Sequence, residues 1–159
     1  MMKQFINVKL VGAEPMTLGE YNEYRGWTIP ADEDPDEPGF HSMDISGRET
    51  WHPKESFEYQ SFRIEATSNT ITQADVDGMI ANIMVQTIGS KTTFVQVTLL
   101  NGFTLEETSS CVDPANYNEA MGANLCLGKI KDKIWFLLGF LLQSALYGFG
   151  LKTPGVDKR

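Results

Sequence analysis

The sequence is poor in the side chains that run most enzymes. It has two histidines and two cysteines in 159 residues. His41 and His52 have no readable third partner, so neither a catalytic triad nor a zinc site is legible. Cys111 and Cys126 do not make a CxxC pair; they read as packing residues of a reducing compartment, not as a disulfide frame. No phosphate-binding glycine loop, dinucleotide fingerprint, HExxH or GxSxG is present. Carboxylates in the C-terminal half are few and do not pair at an acid–base spacing. The expectation is a protein that is not an enzyme, with no catalytic residue, no metal and no cofactor.

Long apolar runs are also missing. The greasiest stretch, Ile134 to Leu142, is too short to span a bilayer, and Lys129, Lys131 and Lys133 precede it. The opening Met-Met-Lys-Gln-Phe has no signal-peptide pattern, so the expected location is the cytoplasm, with no membrane partner. Arginine is scarce: Arg25, Arg48, Arg63 and Arg159 are the whole set. The formal charge is −8, with thirteen acids against six bases in residues 1–70 and eight against seven in the rest. An acidic half of this kind repels duplex nucleic acid. The nearly neutral half can still accept a small anion.

What is present divides the chain into an acidic module over 1–66, a core domain over 67–150 and a tail over 151–159. In the first part, Phe5, Ile6, Val8 and Leu10 suggest a strand ended by Pro15. Thr17-Leu-Gly-Glu20 is a capping box for a short helix that stops at Gly26. Residues 28–39, with three prolines and five acids, read as a solvated loop whose spacing fits no EF-hand. Phe40 to Trp51 reads as a hairpin turning at Ser46-Gly47, and Pro53 as the first turn of a helix with Phe57, Tyr59 and Phe62. Residues 65–70 form a polar linker.

Thr72-Gln-Ala-Asp75 caps a second helix, expected to run to about Met84 with Val76, Met79, Ile80 and Ile83 inward. Gly89-Ser90-Lys91 is a turn. Thr92 to Leu100 and Phe103 to Ser110 read as strands about a two-residue Asn101-Gly102 turn. That register leaves neither face wholly apolar. A bulge can correct it, or both faces can be covered, one by helix and one by another subunit. After the Cys111-Val112-Asp113-Pro114 corner a long helix carries a stripe of Leu127, Ile130, Ile134, Leu137, Leu138, Leu141 and Ala145. From Ile134 its other side is apolar too, so a second copy of the chain is the expected cover. The fold class is therefore α+β: an antiparallel hairpin or small sheet packed on a long C-terminal helix, with a small acidic α+β module before it.

The candidate ligand-binding residues cluster where that helix starts. Ser109, Ser110, Asn116 and Tyr117 lie there, Lys91 begins the neighbouring strand, and Lys129 follows along the helix. Free N–H groups at a helix start favour anions, and Tyr117 or Phe103 can stack on a base. The bland reading is that these residues cap the helix and pack the corner.

Three blocks carry a resemblance: Leu100-Asn-Gly-Phe103, Ser110-Cys-Val-Asp-Pro-Ala-Asn-Tyr117, and Lys133-Ile-Trp135 with Gly139. Over roughly Ile71 to Gln143 the chain resembles a phage protein family catalogued after gene forty-nine of one phage and gene sixty-six of another. Met16 to Trp27, Ile29 to Glu33 and Pro53 to Glu55 resemble a separate phage module. The first family takes in the anti-Thoeris sponges, oligomers that bind cyclic ADP-ribose signals, and in some cases cyclic oligonucleotides of the CBASS type, without cleaving them. The resemblance therefore implies an anti-defence sponge in the host bacterial cytoplasm that sequesters a cyclic nucleotide or cyclic ADP-ribose messenger. Where relatives read Trp-x-Leu-Glu-Gly-Tyr-Leu-Leu-Arg, Leu138, Phe140 and Gln143 stand here for the Glu, Tyr and Arg. Phosphate recognition favours guanidinium groups, so Arg25 and Arg63 are expected to approach the ligand. The alternative reading is an acidic accessory protein whose carboxylates at Asp32 to Glu37 dock a basic host protein. An enzyme that cleaves the messenger is disfavoured by the shortage of histidine and paired carboxylates.

Overall fold

A computed structural model describes residues 1–65 and 69–150. The chain is α+β, with two three-stranded antiparallel sheets and one long C-terminal helix. Two compact units form, Met1–Arg63 together with residues 143–150, and Ile64–Leu142. The interior of the expected linker over 65–70 and the tail over 151–159 lie outside the described residues.

The first unit is a meander of β1 (Val11–Pro15), β2 (Gly39–Asp44) and β3 (Glu49–Pro53). The first strand starts later than the apolar spacing suggests. Phe5 and Ile6 are exposed, because it is Val11 to Pro15 that finds a partner, paired from Val11 with Asp44 to Pro15 with Phe40. Pro15 can sit there because β1 is an edge strand, where a missing N–H breaks no ladder bond. Helix α1 (Leu18–Arg25) starts at the expected capping box: Thr17 Oγ1 accepts from Glu20 N–H, and Glu20 Oε2 accepts from Thr17 N–H. It ends at Gly26, whose φ of 67° is left-handed. The β2–β3 hairpin turns through Ser46-Gly47, held by Asp44 Oδ1, which accepts from Ser46 and Arg48 N–H. Helix α2 (Lys54–Gln60) stacks Phe57 on Phe40 at 4.6 Å, while Tyr59 stays in solvent.

The second unit begins with α3 (Gln73–Gly78), capped by Thr72 and Asp75 as expected. It stops six residues earlier than the sequence suggests. Ile80–Ile88 forms β4 instead, paired with β5 (Thr92–Leu99), which pairs with β6 (Thr104–Ser110). The spacing of Val76, Met79, Ile80 and Ile83 suits a helix, but Gly78 and the β-branched residues from Ile80 onward favour a ladder.

The turn between β5 and β6 also differs from the two-residue expectation. Leu99 N–H donates to Phe103 O at 2.8 Å, and Gly102 N–H donates to Leu99 O at 2.9 Å. The loop is thus Leu100-Asn101-Gly102, with Gly102 at φ 81°. The three-residue loop moves the register by one and sorts the faces. Val97 now pairs with Leu105 and Val95 with Glu107. Thr93, Val95, Val97 and Leu99 are all buried on the helix side, while Phe94, Gln96 and Thr98 look the other way.

Helix α4 (Glu119–Tyr147) is about 43 Å long at 1.5 Å per residue. Its buried stripe is Ala123, Cys126, Ile130, Ile134 and Leu138, which contribute the core with β5. Full burial of each of the larger side chains stabilises by about 1.5–3 kcal/mol. The expected stripe is right at Ile130, Ile134 and Leu138. It drifts elsewhere: Leu127 and Leu137 are only half-buried and Leu141 is exposed. Met121, Leu125, Phe136 and Phe140 lie exposed on other faces of the helix.

Candidate functional site

Asp113 is extended, as a residue before proline must be, and its carboxylate accepts from Ala115 N–H at 2.9 Å. Pro114–Asn116 makes one 3-10 turn, so the long helix does not open at Asp113-Pro114. Asn118 caps it, with Oδ1 accepting from Met121 N–H at 2.9 Å. Lys91 pins the corner from the neighbouring turn: its carbonyl accepts from Cys111 N–H at 3.1 Å, and its ammonium donates to Val112 O at 3.5 Å.

A hydroxyl network lies under this corner. Tyr117 OH is 2.7 Å from Thr87 Oγ1 and 3.0 Å from Thr93 Oγ1, and Thr87 donates on to the Glu119 carboxylate. Thr93 is fully buried, and Gly122 comes down on it so closely that a Cβ there would lie 2.7 Å from Thr93 Cβ. Sequence reasoning finds Tyr117 but misses Thr87, Thr93 and Glu119: the helix expected to run to about Met84 hides β4, and with it the pairing that sets Thr87 beside Thr93. The signal that could have found them is the β-branched run through Thr87.

Of the other expected site residues, Ser110 Oγ meets Thr92 Oγ1 at 2.8 Å and Ser109 pairs across the ladder with Thr93. Asn116 N–H donates to Asp113 O at 3.0 Å. Lys91, Ser109, Ser110, Asn116 and Tyr117 therefore gather at one end of the sheet. Phe103 does not join them; β6 separates it from Ser110 by about 20 Å of strand. Two lysines of α4 reach α3 and the sheet, Lys131 and Lys133, while Lys129 is exposed. Lys133 Nζ pairs with Glu107 at 2.6 Å and holds that carboxyl below its usual range, with Lys129 adding to the same field. Lys131 pairs with Asp77 at 2.8 Å. Burial raises the pKa of Cys126, which makes it a poor nucleophile.

Phe103 opens instead onto a groove of about 430 Å³, lined by Phe103, Leu105, Asp132, Lys133, Phe136 and Leu137. Phe103 is 54% exposed and Phe136 76%. Of the three departures noted in the sequence, Leu138 is buried in the core and is not among the residues lining this groove, while Phe140 and Gln143 are exposed.

Arg25 and Arg63 belong to the first unit. Arg25 reaches Glu49 at 3.5 Å and lies over the Trp27 ring at 4.7 Å; Arg63 also has its own partner. His41 is mostly buried here, with Nδ1 3.4 Å from Glu14 and Nε2 3.2 Å from Glu49, between the rings of Tyr21 and Tyr24. A hydrogen bond to Glu49 raises the pKa of Tyr24. This ring of carboxylates and aromatics ties β1, β2, β3 and α1 together. Among the described residues, no group of three or more His, Cys, Asp or Glu side chains could hold a metal, and no helix is long and apolar enough to cross a membrane.

No curated protein and no solved structure matches the chain. Residues 71–146, the stretch that holds the β4–β6 sheet, the hydroxyl network, the groove and nearly all of α4, match the model of the Phage protein (N4 Gp49/phage Sf6 gene 66) family.

Proposed function

We propose that residues 71–146 form a messenger-binding module: an anti-defence sponge that holds a cyclic nucleotide or cyclic ADP-ribose-type signal in the host bacterial cytoplasm without cleaving it. The observation that carries this reading is the groove, where two exposed phenylalanines, Phe103 and Phe136, stand beside Lys133, with Lys129 one helical turn away. Exposed rings give a nucleobase a stacking platform, and neighbouring ammonium groups favour phosphate. The helix start is the poorer seat: Asn118 already caps it and Glu119 puts a negative charge there. The groove is open, so a second copy laid along α4 would narrow it. Sequestration needs abundance and affinity, and it works by mass action.

The test is to incubate the purified full-length chain with cyclic dinucleotides, cyclic trinucleotides and cyclic ADP-ribose isomers, then heat it and identify what is released. Intact messenger is the expected product. Phe103→Ala and Phe136→Ala should each weaken binding by about five- to 150-fold, since one base stack contributes about 1–3 kcal/mol. A cleaved product would replace the sponge with an enzyme. No thermal shift with any ligand would favour the accessory reading, which the exposed carboxylates from Asp32 to Asp36 support.

A further inference from the structure

The sheet of the second unit has two edges, and they are built differently. Its order is β4-β5-β6. The β6 edge carries Glu106 and Glu107, and charged side chains on an edge repel a second strand. The β4 edge has no such guard. Its nine residues, Ile80-Ala-Asn-Ile-Met-Val-Gln-Thr-Ile88, include no charge and no proline. Ile83, Met84, Val85 and Ile88 are 40–49% exposed. Among the described residues, no backbone–backbone hydrogen bond reaches the outer side of β4. A row of unpaired N–H and C=O groups about 30 Å long is a template for one kind of occupant, another strand.

The sequence of β4 says which strand. Folded back antiparallel about Met84, it matches itself: Met84 meets Met84, Ile83 meets Val85, Asn82 meets Gln86, and Ile80 meets Ile88. Moving the centre by one residue sets Asn82 against Met84 or Ile88 instead, an amide against an apolar side chain. The ladder with β5 is regular from Asn82 to Ile88, so the central segment is straight enough to pair. A strand that is neutral from end to end also lets two chains of net charge −8 meet without opposing like charges. We infer that two copies of this chain join through their β4 edges about a two-fold axis at Met84, making one continuous six-stranded antiparallel sheet. This interface differs from contact along α4 and is independent of the ligand reading.

Light scattering on the full-length chain should give twice the 17.8 kDa chain mass. Met84→Lys sets two ammonium groups opposite each other on the axis and should return the monomer with the far-ultraviolet circular dichroism retained. In a Cys111→Ser background, Met84→Cys should form an interchain disulfide under mild oxidation, since cross-strand Cα atoms lie about 4.5–5.5 Å apart. Asn82→Cys should not, because it faces Gln86. A monomeric wild type would overturn the inference. So would a Met84→Lys protein that stays dimeric together with a Met84→Cys protein that forms no disulfide, which would assign the dimer to another surface such as α4.

Discussion

The hydroxyl of Tyr117 stands 3.0 Å from Oγ1 of Thr93, the buried threonine on which the first turn of α4 rests. Through Thr87 the same hydroxyl is linked to Glu119, so one phenol ties β4, β5 and the helix start together. Tyr117→Phe keeps the ring and deletes both bonds. The expected cost is about 1–2 kcal/mol, from two hydrogen bonds of ordinary net value. Urea unfolding of the second unit, read by its own tryptophan Trp135 in a Trp27→Phe/Trp51→Phe background, measures it. An unchanged midpoint would remove the network from the account of stability.

Gly122 and Gly128 make a matched pair on α4. A methyl group at Gly122 runs into Thr93, whereas at Gly128 it meets nothing within 4 Å. Helix propensity alone stabilises alanine over glycine by about 1 kcal/mol at either position. Overpacking reverses the sign at the first, where about 1–3 kcal/mol of destabilisation is expected. Thermal melts should therefore show Gly128→Ala equal to or above the parent and Gly122→Ala below it. Equal gains at both positions would mean that the helix is not seated on Thr93.

Asp75 gives the second unit a pH dependence. It is almost wholly buried, and burial pushes its pKa up, but three donors outweigh that: Glu65 N–H at 2.6 Å, Thr72 N–H at 2.6 Å and Thr72 Oγ1 at 2.7 Å. The net result is a carboxyl held below its usual range. A group whose folded pKa is depressed binds protons more readily when unfolded. Its contribution is present above the ordinary aspartate value of about 3.9 and is lost as pH falls through the folded value. Stability should thus decline on acidification below about pH 4. Asp75→Asn should cost about 1.5–3 kcal/mol at neutral pH, the range for hydrogen bonds to a charged group, and flatten that decline. An Asp75→Asn protein with the parent's acid profile would contradict it.

Local chemistry was the most legible part of the sequence. Thr17 and Glu20, Thr72 and Asp75, Gly26 and Ser46-Gly47 act within a few residues of themselves, so their roles could be read directly. The misses share a cause, which is that partners distant in the chain decided the outcome. Ile80 to Met84 fits helical spacing, and only pairing with β5 makes it a strand. Asn101-Gly102 reads as a two-residue turn, yet burying Val95, Val97 and Leu99 on one face with Leu105 requires the three-residue loop. The possibility of a corrected register was visible in the mixed faces, but its direction was not. The same limit applies to the site. Tyr117, Lys91 and Ser110 were readable as a cluster because they flank one corner, while Phe103 and Phe136 share a groove only because β6 and α4, distant in the chain, lie side by side.

Native mass spectrometry of the full-length chain mixed with each messenger tests the central claim most directly, because it reads assembly and ligand in one spectrum. An even-numbered assembly carrying unmodified cyclic nucleotide or cyclic ADP-ribose, with the bound fraction reduced by Phe136→Ala, is the expected result. A single 17.8 kDa chain that carries none of them at saturating concentration would contradict it.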